Sequence, residues 1–321
     1  MATAPSPRPH AARDRAGFTL VELLIAMLLG VVVLSAATGF ALQTWQVRRG
    51  TGIRDVVDRN ARYVGMTLAR DVQDAGVGIE STPVWGTLTT FGDTIGVLSV
   101  PYTNGEPAEV YRIAAPPPDT INPLPWGGTC GTYCIDFFKE DGTFDIRAGD
   151  LARLQVNGER RLIVVTAATN ATPTTFRVTF SPVERLLGYP AGISDTLLLD
   201  RFGTSVQRMH VTAFWRDVPT RRLMRASRIN ASGQLVGEAI ADQLETLEAS
   251  LVFTTGNEAP QADGFDADTT NDYHRVAAVR VQATLKADRT DRTVNNGQPL
   301  EKSFEWRVAP RNLMYERNRL N

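Results

Sequence analysis

Gly17-Phe18-Thr19-Leu20-Val21-Glu22-Leu23-Leu24-Ile25-Ala26-Met27 opens an apolar run in which Glu22 is the single charged residue before Arg48. The run is longer than the roughly 20 residues that a helix needs to cross a hydrocarbon core. Arg8, Arg13 and Arg15 precede it, and Arg48 and Arg49 follow it. Past that pair the pattern turns amphipathic. Ile53, Val56, Val57, Ala61, Val64, Leu68 and Val72 recur at helical spacing among charged residues, until Gly76 and Gly78 stop it. The spacing predicts one helix from about Phe18 to Ala75, roughly 87 Å long. Its first half would lie in lipid or in a filament core, and its second half would hold a folded domain. Gly30, Gly39, Gly50 and Gly52 are the places where it would be interrupted.

Three kinds of segment share this outline. A secretory signal peptide would have the basic start and apolar centre, with Ser35-Ala36-Ala37 as a small-residue cleavage site. A plain membrane anchor needs only the length. In the third kind, a leader is cut off before the apolar segment, which stays on the mature chain. Glu22 separates them. An acidic residue costs about 2.5–3.5 kcal/mol at the centre of a membrane helix and less at its start, where the dipole favours an anion. Neither of the first two kinds has a use for it. A cut after Gly17 would create an ammonium on Phe18, about 6 Å along the axis from Glu22. In a packed filament that ammonium could meet Glu22 of a neighbouring subunit and give the buried carboxylate its partner.

Over Gly17 to Met27 the sequence resembles the cleavage and methylation motif of type IV prepilins and pseudopilins. The resemblance implies cleavage by prepilin peptidase between Gly17 and Phe18, N-methylation of Phe18, and Glu22 as the residue that registers subunits during assembly. Gly39 stands about where many major pilins carry a helix-breaking proline. Any unwinding here would use glycine, unless the glycines serve close helix packing. Leu68 to Gly76 resembles the end of this helix in PilW-type minor pilins. Ala241 to Leu251, Val276 to Leu285 and Phe304 to Leu313 are similar to the terminal pattern of PilW- and PulJ-type chains.

Beyond the helix the chain reads as strands, at 94–102, 108–115, 160–168, 174–181, 195–201, 205–216, 221–229, 247–254, 274–287 and 302–309. Arg275 to Leu285 alternates most cleanly. Pro116-Pro117-Pro118, Gly127-Gly128, Asn170, Gly256-Asn257 and Asn295-Asn296-Gly297 mark loops. The expected class is α+β: a long N-terminal helix, membrane half plus amphipathic half, packed on a strand-rich, mainly antiparallel domain. The expected divisions are a leader at 1–17, a transmembrane or filament-core helix at 18–47, its amphipathic continuation at 48–78 and a periplasmic β-rich domain at 79–321.

Candidate chemistry is sparse. Cys130 and Cys134 lie four apart, and the expectation is a local disulfide or two free thiols; two sulfurs without a nearby histidine do not complete a zinc site. Asp263, Asp266, Asp268 and Asp272 crowd one loop. A solvated acidic loop is the first expectation and a calcium site the alternative, although the glycine and distal glutamate of an EF-hand are missing. His10 falls in the leader, His210 in a strand and His274 after the acidic loop. No Ser-His-Asp order, HExxH or Walker loop occurs, so no enzyme is expected and no cofactor beyond that calcium. Arg221, Arg222, Arg225 and Arg228 form one basic group, and Arg311, Arg317 and Arg319 another. With 34 basic and 35 acidic residues the formal charge is −1. Nucleic acid is therefore not an expected partner, and these arginines read as solvated or interface groups.

What the resemblance implies is a minor pilin of a type IV pilus, held in the inner membrane with its domain in the periplasm and later found in the filament or at its tip. Its partners would be prepilin peptidase, other minor pilins, the major pilin and the inner-membrane assembly platform. It would help to start or cap assembly. The alternatives are a J-type pseudopilin of a type II secretion system, an adhesive tip module on a pilin stalk and, last, a membrane-anchored periplasmic enzyme.

Overall fold

The computed structural model describes residues 19–103, 106–114, 123–125, 127–139, 143–182, 196–198, 203–230, 232–264 and 267–311. Gly17, Phe18, Pro116 to Pro118, Asp266, Arg317 and Arg319 lie outside the described residues. One long helix, Leu20–Gln73, precedes an antiparallel strand-rich domain, an α+β architecture.

The helix is unbroken, and none of the expected glycine interruptions is present. A helical glycine costs about 1 kcal/mol relative to alanine, which a helix of 54 residues absorbs. From Leu20 to Val47 every residue is exposed except the half-buried Thr44. Hydroxyl groups in this apolar half find acceptors inside the helix. Ser35 donates to the Val31 carbonyl at 2.7 Å, Thr38 to Leu34 at 2.7 Å and Thr44 to Phe40 at 2.8 Å. Such back-bonding suits a segment with no water to bond. The second half turns one face inward: Val57, Ala61, Val64, Leu68 and Val72 are at most 2% exposed. Fully burying each of the larger ones contributes about 1.5–3 kcal/mol. Asp74 caps the end, two residues earlier than the sequence suggested. Gly76 (φ +79°) and Gly78 (φ +71°) then turn the chain so that the Gly76 N–H donates to the Leu98 carbonyl at 3.0 Å.

Six strands close into a ring by antiparallel pairing. In order they are Ser205–Asp217, Leu151–Val156, Glu159–Thr172, Thr175–Pro182, Cys134–Phe138 and Val110–Ile113, which returns to the first. Tyr111, Phe137, Leu154, Ile163, Val178 and Val206 fill the interior, so this barrel is a packed core. Ser205–Asp217 is long enough to leave the barrel. Beyond it, His210 to Phe214 pair with Ile95 to Ser99, and Ala213 to Asp217 pair with Arg222 to Ala226. Leu88–Phe91 and Leu235–Ala241 complete this second sheet. A third sheet runs in the order Glu258–Ala259, Leu244–Phe253, Val276–Thr290, Pro299–Val308.

The helix packs against the second and third sheets. Val64, Leu68 and Val72 share one core with Leu88, Ile95 and Phe214 from the second sheet and Leu247, Leu251 and Val281 from the third. Lower down, Val57 and Ala61 meet Leu285 and Ala287. Polar contacts fix the register of helix on domain. Asp71 accepts from Arg225 Nε at 2.6 Å, and Asp58 accepts from Lys302 Nζ at 2.6 Å.

Candidate functional site

The start of the helix is built by its own sequence. Thr19 is extended (φ −73°, ψ 151°), and its hydroxyl oxygen accepts the Glu22 N–H at 3.3 Å. Thr19-Leu20-Val21-Glu22 has the Thr-x-x-Glu spacing of a capping box, a signal that the sequence carried and that reading Glu22 for its charge alone missed. Glu22 therefore sits in the first turn, exposed, where the helix dipole favours an anion. Among the described residues no cation pairs with it. The chemistry such an arrangement offers is intermolecular: a carboxylate held at a defined height on an apolar rod, ready for a positive group on another molecule.

Residues 12–38 match the family described as the prokaryotic N-terminal methylation motif. This chain carries a type IV prepilin-like signal. The match spans Arg13 and Arg15 ahead of Gly17, the Gly17–Phe18 bond, Glu22 and the exposed apolar helix as far as Thr38. It supports a type IV pilin-like protein processed by prepilin peptidase and anchored in the inner membrane by that helix. No curated protein and no solved structure matches the chain.

The other sequence candidates fall elsewhere in the fold. Cys130 and Cys134 are bridged, with Cα atoms 5.3 Å apart, at the edge of the barrel where Cys134–Phe138 begins. Of the acidic loop, Asp263 Oδ2 accepts from Asn271 Nδ2 at 3.4 Å. Asp268 accepts from the Thr270 N–H and hydroxyl, both at 2.7 Å, which draws its carboxyl below the usual range. Asp272 is buried, with His274 Nδ1 at 3.5 Å. Among the described residues no three acidic, histidine or cysteine side chains gather as a metal would require.

Three of the four clustered arginines are held by carboxylates. Arg221 reaches Asp288 at 2.9 Å, Arg222 reaches Asp242 at 2.8 Å and Arg225 reaches Asp71. Sequence reading missed the last pair. Its signal was a charge, Asp71, set beside the apolar face between Leu68 and Val72.

Proposed function

We propose that the chain is a minor pilin of a type IV pilus, a structural subunit and not an enzyme, which helps to initiate or cap filament assembly. Prepilin peptidase cleaves it between Gly17 and Phe18, and Phe18 is then N-methylated. The observation that carries this reading is the matched motif placed at the start of a helix whose first half is almost entirely exposed and, Glu22 apart, uncharged. In the membrane that half spans the bilayer, with Arg8, Arg13 and Arg15 keeping the leader cytoplasmic. In the filament it packs against the same half of neighbouring subunits by a heterologous contact. The strand-rich domain lies in the periplasm before assembly, and the Cys130–Cys134 bridge fits that oxidising compartment. Glu22 registers each new subunit on the Phe18 ammonium of another. Its partners are the peptidase, the major pilin and other minor pilins, and the assembly platform.

The test is the N-terminus and intact mass of the protein made with and without prepilin peptidase. The expected product is peptidase-dependent and starts at N-methylated Phe18. A product starting at Thr38, or an uncut chain beside an active peptidase, would refute the reading.

A further inference from the structure

Where the apolar half of the helix ends, a cleft of about 750 Å³ opens between helix and domain. Arg48, Arg49, Gly52 and Ile53 form its helix wall, and Asp288 and Arg289, near the end of the Val276–Thr290 strand, face them. Three arginines and one aspartate thus line the cleft. That carboxylate is already engaged, because Asp288 accepts from Arg221 Nη2 at 2.9 Å and from Gln243 Nε2 at 3.1 Å. Among the described residues no carboxylate pairs with Arg48, Arg49 or Arg289. Arg49 instead lies over the Trp45 ring, 4.8 Å from its centroid.

The position of the cleft narrows what it could hold. Leu20 to Val47 rises about 42 Å along the axis. A bilayer with its headgroup layers is about 40–45 Å thick. Arg48 and Arg49 therefore emerge at the headgroups of the far leaflet, with Trp45 at the interface where tryptophan concentrates. Guanidinium forks match phosphate oxygens two at a time. Ile53 and the buried Ala287 give the cleft an apolar side as well.

We propose that this cleft seats the phosphate headgroup of an anionic phospholipid from the periplasmic leaflet of the membrane that holds the helix. Arg48 and Arg49 clasp the phosphate from the helix side and Arg289 from the domain side. The seated lipid fixes the domain upright on its anchor until the subunit is drawn into a filament. The proposal rests on the membrane placement of the helix in the proposed function.

The distinguishing variant is Gly52→Leu. A β-carbon at Gly52 meets nothing within 4 Å, so a leucine there has room to start into the cleft and obstruct it while every charge stays in place. Full-length processed protein is placed in nanodiscs of phosphatidylcholine with phosphatidylglycerol, and native mass spectrometry counts the lipids that each chain retains. The wild type is expected to retain phosphatidylglycerol selectively. Arg289→Gln is expected to reduce that selectivity about fivefold, the effect of one basic group near an anionic surface, and Gly52→Leu by at least as much. Arg228→Gln, on an exposed arginine elsewhere in the domain, is expected to change nothing. If Gly52→Leu and Arg289→Gln retain lipid as the wild type does, the attraction is that of any juxtamembrane arginine pair and the proposal is overturned. Binding of inorganic phosphate in pure phosphatidylcholine discs as readily as of the lipid headgroup also overturns it, since the cleft would then be a free-anion site. A chain that does not enter the discs refutes the membrane placement itself, which is a separate failure.

Discussion

Trp306 lies so close over Gly65 that a β-carbon there would come within 2.3 Å of its indole Nε1. The glycine is a docking notch on the helix, and the Pro299–Val308 strand fills it. Two opposed effects act on Gly65→Ala. Alanine favours the helix by about 1 kcal/mol, while overpacking costs about 1–3 kcal/mol. The clash is with a broad ring and not the tip of a flexible chain, so the net expectation is a loss of about 1–2 kcal/mol in urea unfolding of the detergent-solubilised chain, followed by far-ultraviolet circular dichroism. A Gly65→Ala variant more stable than wild type would show that Trp306 swings aside at little expense.

The Asp71–Arg225 pair ties the last turns of the same helix to the second sheet. Arg70 also touches Asp71, at 3.0 Å, but its side chain is 70% exposed, whereas Arg225 is 20% exposed. Screening therefore weakens the first contact far more than the second. Asp71→Ala is expected to destabilise the domain by about 1.5–3 kcal/mol, the range for a lost hydrogen bond to a charged group. The double variant Asp71→Ala with Arg225→Met should regain part of that loss, because no buried charge is left without its partner. A double variant as unstable as the sum of the two single ones would mean that the pair is not coupled.

Much of this architecture was legible, and the exceptions have separate causes. Arg275 to Leu285 alternates because one face of Val276–Thr290 is buried and the other is not. The helix showed itself in the three- and four-residue spacing of Val57, Ala61, Val64, Leu68 and Val72. Leu235–Ala241 was missed because Gly237 weakens any strand pattern. It is there because a β-carbon would meet the Trp215 ring at 2.3 Å, and one sequence does not show that close approach. Leu88–Phe91 was passed over although Thr89 and Thr90, both fully buried, are of a β-branched type that strands favour; a strand of four residues is too short to show an alternation. Leu151–Val156 could have been found. Asn157-Gly158 follows it, both at positive φ (49° and 88°), a two-residue hairpin turn of the kind that Asn-Gly favours. Closure of the barrel was out of reach, since it depends on Val110–Ile113 meeting strands far along the chain on both of its edges. At the site, the charge of Glu22 was legible, but its place in the capping turn required attention to Thr19.

Alkaline pH should act through the barrel interior. Tyr111 is 1% exposed, donates to Asp145 Oδ1 at 2.6 Å and accepts the Asp145 N–H at 3.2 Å. Burial first, then the hydrogen bond to the Asp145 carboxylate, pushes its pKa from 10.0 up to about 12. The fold therefore favours the neutral phenol. That contribution is complete below pH 10 and is lost as the pH rises through about 12. Urea midpoints measured across this window should fall for the wild type and fall less for Tyr111→Phe. Parallel slopes for the two proteins would exclude Tyr111 as the responsible group.

Glu22 offers the sharpest separation of processing from assembly. Glu22→Leu removes the one charge from an otherwise apolar run, so membrane insertion should be unimpaired. The Gly17–Phe18 bond is untouched, and cleavage should proceed as in the wild type. The loss should come at assembly, where the Phe18 ammonium of another subunit would be buried without its carboxylate. An unpaired buried charge costs about 3 kcal/mol or more, which corresponds to a drop of at least about a hundredfold in incorporation. Glu22→Asp keeps the charge on a shorter arm and should fall between the two. The measurements are the intact mass of the membrane-bound chain and the amount recovered in sheared filaments. Normal recovery of Glu22→Leu would end the registration role for this residue, while a cleavage defect would place Glu22 in recognition by the peptidase instead.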